Sequence, residues 1–187
     1  MQPELETYLD QLLSIRQDAD GLMSQLTAEQ FDWRPGPGRW SMSECFDHLN
    51  MSADRLFIPA IDGAIADGRR RGLTGAGPFV YPALQRIFLR LSEPPPRIRF
   101  KAPGAVKPKL TRPLATVRSD FMTWQDRLDE RIRQADGLDL QRARHRSPMP
   151  LWQWSLGTFL AVALAHERRH IWQAREVRNA SGFPQPT

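Results

Sequence analysis

The segment His166-Glu167-Arg168-Arg169-His170 carries the residues of this chain best suited to chemistry. Two histidines four apart project from one face of a helix, a turn from each other, close enough to chelate one metal ion. At about 100° per residue they fall in line with Phe159, Ala163, Ala174 and Val177, so the pair points inward. An imidazole on an apolar stripe needs partners, because burying an unsatisfied polar group is costly. Two readings meet that need. Either both are core histidines bonded to backbone or carboxylate groups, or a single ion satisfies a nitrogen of each. Glu167 turns toward the other side of the stripe and need not face a metal.

His48 is the natural third candidate, early in a second helical segment, Trp40-Ser41-Met42-Ser43-Glu44-Cys45-Phe46-Asp47-His48-Leu49. It sits at the edge of that helix's apolar stripe, so periodicity alone does not turn it inward. Three neutral imidazoles leave coordination positions open for water or substrate, the pattern of a catalytic site. Zn, Ni, Fe or Cu would suit such a set. The order His-Glu-x-x-His also matches the zincin motif. Zincins, however, pair that helix with a strand-rich lobe and a downstream ligand, and neither is evident here.

The elements that must position these residues read as helices. Leu5, Leu9, Leu12, Leu13, Ile15, Leu22, Met23 and Leu26 lie near helical spacing and predict a helix over about Glu4 to Leu26. Thr27-Ala28-Glu29-Gln30 reads as a short capped turn, and Arg34-Pro35-Gly36-Pro37-Gly38 breaks any helix. Ser41 followed three residues later by Glu44 is a capping box that starts the second helix. It fades near Gly68, with a kink expected at Pro59. Residues 72 to 113 are dense in Pro and Gly, with a short helix over Tyr81 to Leu91. A connection this long suits a crossover between bundle helices and a cover over a site. Leu114, Val117, Phe121, Trp124, Leu128 and Ile132 define a third long helix, Pro113 to Ala135, which Asp136-Gly137 ends. A loop through Ser147-Pro148-Met149-Pro150 leads to a fourth, Ser155 to Asn179, capped by Ser155. No strand pattern is visible. The expected fold is all-α, a four-helix bundle with a long irregular crossover, forming a single domain over residues 1–187.

Composition bounds the function. The chain has 187 residues, 41% of them hydrophobic, enough for a sizeable core. No apolar run approaches the roughly 20 residues that cross a bilayer, and no secretory signal is read at the N-terminus. The lone Cys45 suits a reducing, cytoplasmic setting and reads as a small core residue. The charge is +5, but its arginines are scattered, in clusters beside Gly and Pro signals. A nucleic-acid partner would need a continuous basic stripe and is not expected. His145 belongs to an exposed Arg-rich loop outside the proposed set. Trp33, Trp40, Trp152, Trp154 and Trp172 read as core or wall packing. Glu44 is a cap partner, Asp47 a candidate hydrogen-bond partner that would orient an imidazole, and Arg168 and Arg169 a solvated face.

Leu26-Thr27, Glu29-Gln30-Phe31, Trp33-Arg34-Pro35, Trp40-Ser41, Glu44 and His48-Leu49 together resemble the opening of the DinB-like (damage-inducible) superfamily, unrelated to the translesion polymerase of that name. Trp154-Ser155-Leu156 through His166-Glu167-Arg168-Arg169-His170-Ile171-Trp172-Gln173 resembles that family's last helix. The resemblance implies a four-helix bundle, commonly dimeric, with His48, His166 and His170 as ligands of one divalent ion. Residues 72 to 113 match nothing in it. It implies a small-molecule substrate, handled by thiol-dependent S-transfer with a low-molecular-weight thiol cofactor, or by hydrolysis. A non-catalytic metal-binding or stress-response module is the alternative. A related bundle domain of sulfoxide synthases carries His-x-x-x-His-x-Glu, but Trp172 stands at the last place here. The resemblance and the aromatic-rich helices lead to the expectation of a homodimer.

Overall fold

The computed structural model describes residues 1–187 except 25, 97, 99–100, 109–111, 147–152 and 186–187. The first helix, α1, spans Pro3–Met23. Leu5, Tyr8, Leu12, Ile15, Ala19 and Leu22 face the core at intervals of three and four, while Leu13 is exposed. The short α2, Ala28–Asp32, starts on a full capping box between Thr27 and Gln30. A second capping box, between Ser41 and Glu44, starts α3, Met42–Ser52. Arg34 grips the same Glu44 carboxylate through two hydrogen bonds of 2.8 and 2.9 Å, so the Pro/Gly loop is tied to the helix it precedes.

The second long helix does not simply kink at Pro59. It widens into a π-helical turn, Ala53–Phe57, and continues as α4, Ile58–Arg70, two residues beyond Gly68. The physical reason is local: Pro59 cannot donate a backbone hydrogen bond, and the turn before it absorbs the mismatch. After α4 come α5, Ala83–Ser92, and a 3₁₀ turn, Gly104–Val106. The third long helix, α6, spans Leu114–Gln134, and Gly137 behind it takes a positive φ of 79°. The last helix, α7, spans Leu156–Arg178, with Ser155 accepting from the Thr158 N–H at its start.

The chain is mostly helical, as expected, with one correction. Arg144–Arg146 (β1) and Gln153–Ser155 (β2) form a small antiparallel sheet, with His145 opposite Trp154. Arg-His-Arg has no apolar alternation, so nothing local announces a strand. Pairing with the residues before α7 creates it. Helix α1 packs on α6 and α7, α3 packs on the same two helices, α5 lies on α7, and α4 lies on β1. Phe31, Phe46, Phe121 and Phe159 are among the largest fully buried side chains. Cys45 is a free, buried thiol, as the stripe implied. Among the described residues no helix is long and apolar enough to cross a membrane.

Candidate metal centre

Helix α7 buries Phe159, Ala163, Ala174 and Val177, and the same face carries His166 and His170 toward α3. There His48 is only 4% exposed, although its stripe position left the direction open. The three rings converge, with centroids 5.0 Å apart for His48 and His166 and 4.6 Å for each pair that includes His170. One ligand nitrogen from each lies within 4.8 Å of the others, so the three could hold a metal ion.

Their hydrogen bonds show which nitrogens are held and which are open. Nδ1 of His48 lies 2.6 Å from the Val106 carbonyl. A carbonyl only accepts, so Nδ1 carries the proton and Nε2 keeps its lone pair for a ligand role. By contrast, Nε2 of His166 and Nδ1 of His170 are shielded from solvent and have no hydrogen-bond partner. An ion is one partner that satisfies such nitrogens together, so the residues present fit a metal.

The electrostatics point the same way. Desolvation lowers the His48 pKa, against a smaller upward pull from the Val106 carbonyl and Asp47. Burial, with His48 and Arg169 nearby, pushes His166 down to about 3. Burial also carries His170 well below its ordinary value, with His166, His48 and Arg169 adding to it and Gln173 opposing. All three therefore favour the neutral imidazole, the form that binds metal.

The walls come from several elements. Trp40 stacks over His170 at 5.9 Å and tilts against His48 at 5.0 Å. Phe57, the last residue of the π turn, packs 5.3 Å from His166. Leu91, Glu93 and Ile98, between α4 and α6, hold one edge. Arg168 is held by Glu93 and Gln11, and Arg169 donates to the carbonyls of Leu91 and Ile98. The two arginines are thus half-buried staples between α7 and the crossover rather than a solvated face. Asp47 bonds no imidazole: it accepts from Arg112 at 3.1 Å, which also holds Asp120. The orienting partner of His48 is the Val106 backbone instead.

Other candidates fall outside the cluster. His145 is exposed on β1, its ring against Gly63, where a Cβ would come within 2.5 Å of Nδ1. Trp154 is buried and Trp33 packs on Phe183, whereas Trp152 lies outside the described residues. Glu167 faces Gln125, whose Nε2 donates to Oε1 at 2.8 Å. Burial raises its carboxyl to about 7, against the Gln125 hydrogen bond and Arg168. Sequence reasoning missed Val106, Phe57 and Gln125. The first acts through its backbone; the second is an aromatic on the apolar stripe of the second helix, and its place beside His166 depends on the π turn, so neither announces a site role. Gln125 does leave a signal, because a fully buried amide occupies the α6 core face where the periodicity favoured Trp124, which is half-buried.

The sequence matches the family model of the DinB superfamily over residues 11–174. No curated protein and no solved structure matches the chain.

Proposed function

Since the chain belongs to the DinB superfamily, we propose that it is a divalent-metal-dependent enzyme whose ion is held by His48, His166 and His170. The observation that carries this reading is the approach of three imidazole nitrogens within 4.8 Å of one another. A divalent ion held there supplies Lewis-acid chemistry, lowering the pKa of a thiol or water brought to it. The chain's own groups prepare the place. His48 presents Nε2 because Val106 takes its other nitrogen. Trp40 and Phe57 cover the histidine rings from two sides, and apolar cover of this kind strengthens polar interactions beneath it. The reaction class we favour is S-transfer from a low-molecular-weight thiol to a small electrophile, with hydrolysis second. Both come from the family resemblance.

The finer architecture belongs to the same proposal: a single domain, a four-helix bundle of α1, α3–α4, α6 and α7, working in the cytoplasm. We also propose a homodimer formed through an apolar helical face. Exposed Leu84 and Ile87, three apart on α5, support it. Light scattering that gives a monomer near 21.5 kDa at all working concentrations would count against the dimer.

Elemental analysis of protein purified without added metal and without nickel resin tests the site. Low-molecular-weight thiols and a generic electrophile, with and without divalent metal, test the reaction. Turnover that needs both thiol and metal supports the transferase, and ester cleavage with metal alone supports the hydrolase. A metal-loaded protein silent in both assays would instead be a non-catalytic metal-binding or stress-response module.

A further inference from the structure

Of the eight buried, unpartnered polar side-chain atoms among the described residues, six belong to Asn50, Ser52, Gln125, His166, Glu167 and His170. These sit on α3 and α7, which carry the histidines, and on α6, whose Gln125 bonds Glu167. Two of the residues, Ser52 and Glu167, line one small cavity together with His166. Its remaining wall is apolar and includes Leu49, Phe57, Trp124 and Leu128. The cavity measures about 10 Å³, enough for about one water molecule. Ser52 is 1% exposed and Glu167 8%, so bulk solvent does not serve them. A void lined by apolar groups alone stays dry, whereas one offering several polar partners is hydrated.

We propose that this cavity is a built site for one ordered water, and that the water makes Glu167 a positioning residue for His166. The water donates to Oε2 of Glu167 and pairs with Oγ of Ser52. Oε1 of Glu167 is already held by Gln125 of α6. Ser52 stands four residues after His48, one turn along the same face of α3, and Glu167 directly follows His166. Helices α3 and α7 are therefore joined twice, once where His48 meets His166 and again through Ser52, the water and Glu167. The second joint fixes the rotation of α7, and hence where His166 points. The π turn contributes by starting immediately after Ser52 and setting Phe57 against the His166 ring.

The water is tested on the metal-free protein, independently of any ion. A high-resolution crystal structure is expected to show an ordered water within hydrogen-bond distance of Ser52 Oγ and Glu167 Oε2. A dry cavity, or Ser52 turned to its own helix, overturns the water site. The positioning role rests on the metal reading above. Zn²⁺ affinity, from competition with a chromophoric chelator, is expected to weaken roughly 10-fold or more in Glu167→Ala. The visible spectrum of Co²⁺-loaded protein should shift with it, and Glu167→Gln should restore both. Ser52→Ala, the milder change to the fold, should move affinity and spectrum in the same direction. Unchanged affinity and spectrum in Glu167→Ala or Ser52→Ala, with circular dichroism confirming the fold, overturn the role. If the wild-type protein takes up neither ion, the metal reading fails and the positioning role with it, while the crystal structure still decides the water.

Discussion

Two polar clusters lie along α7, and they differ in one respect. Near its start, Glu4, Tyr8 and Tyr81 form a closed set. Both phenols donate to the same carboxylate oxygen of Glu4, at 2.6 and 2.5 Å. Burial and the Glu4 charge raise both phenol pKa values. Two turns or more along, His166 and His170 each keep a shielded nitrogen with nothing to bond. A cluster whose donors and acceptors use one another up is structure, worth about 1 kcal/mol per net hydrogen bond. A cluster that leaves lone pairs converging in a desolvated space has capacity for something else.

The largest expected effect separates the two clusters outright. His48→Ala, His166→Ala and His170→Ala should each sharply cut metal content, read by elemental analysis, while circular dichroism melts show the fold intact. Two imidazoles rarely retain a transition metal tightly, and the packing of Phe159, Leu160, Ala163 and Val177 does not depend on the ion. His145→Ala should leave metal content unchanged. If His48→Ala keeps full metal while His145→Ala loses it, the third ligand is misassigned. If all four variants keep it, the three-histidine set is wrong.

The closed cluster should answer the opposite way. A Cβ on Gly157 would lie 2.0 Å from the Tyr81 hydroxyl and 2.6 Å from Cζ. Gly157→Ala should therefore destabilise the fold by about 1–3 kcal/mol, the usual cost of overpacking, with metal stoichiometry unchanged. Urea unfolding gives the first quantity and elemental analysis the second. A neutral Gly157→Ala would mean that Tyr81 yields freely and the cluster is less closed than it looks.

A smaller change probes the same cluster without steric strain. Tyr81→Phe removes one donor to Glu4 but leaves Tyr8 in place. We expect a loss of about 1–2 kcal/mol and no change in metal content. A fall in metal content would show that the two clusters are coupled through α7.

The smallest effect is a pH dependence in another closed set. Asp67 accepts from Arg70, Arg71 and the Arg144 N–H. Desolvation pushes its carboxyl upward, but the Arg144 and Arg71 hydrogen bonds and the two guanidinium charges outweigh it and hold the pKa below its ordinary value. A depressed folded pKa contributes stability at pH values above the unfolded pKa of about 3.9 and loses it as pH falls through the folded one. Asp67→Asn should thus be less stable than wild type at pH 7, with the gap narrowing below about pH 4. Denaturation curves at both pH values check it, and a gap that widens in acid reverses the sign.

How much was legible in the chain follows from how far each signal reaches. Capping boxes at Thr27/Gln30 and Ser41/Glu44, and the serine before α7, act within one turn. The helix starts were therefore readable to within a residue or two. The apolar spacing along α7 placed His166 and His170 on the core face by itself, because a helix turns by a constant angle. It could not turn His48 inward, since an edge position on α3 is decided by which helices pack on either side. Nor could it supply the Val106 carbonyl from a segment 58 residues away, the π turn that aims Phe57, or a strand in Arg144–Arg146 whose pairing partner lies past six intervening residues. Arg168 and Arg169 looked like solvent-facing charges because sequence shows a side chain's type and not what lies across from it. The sequence by itself determined the helices and the paired histidines, through rules of local geometry. Only the tertiary structure decided which nitrogens are spent on protein and which remain open, because that depends on partners brought from α3, α6 and the crossover.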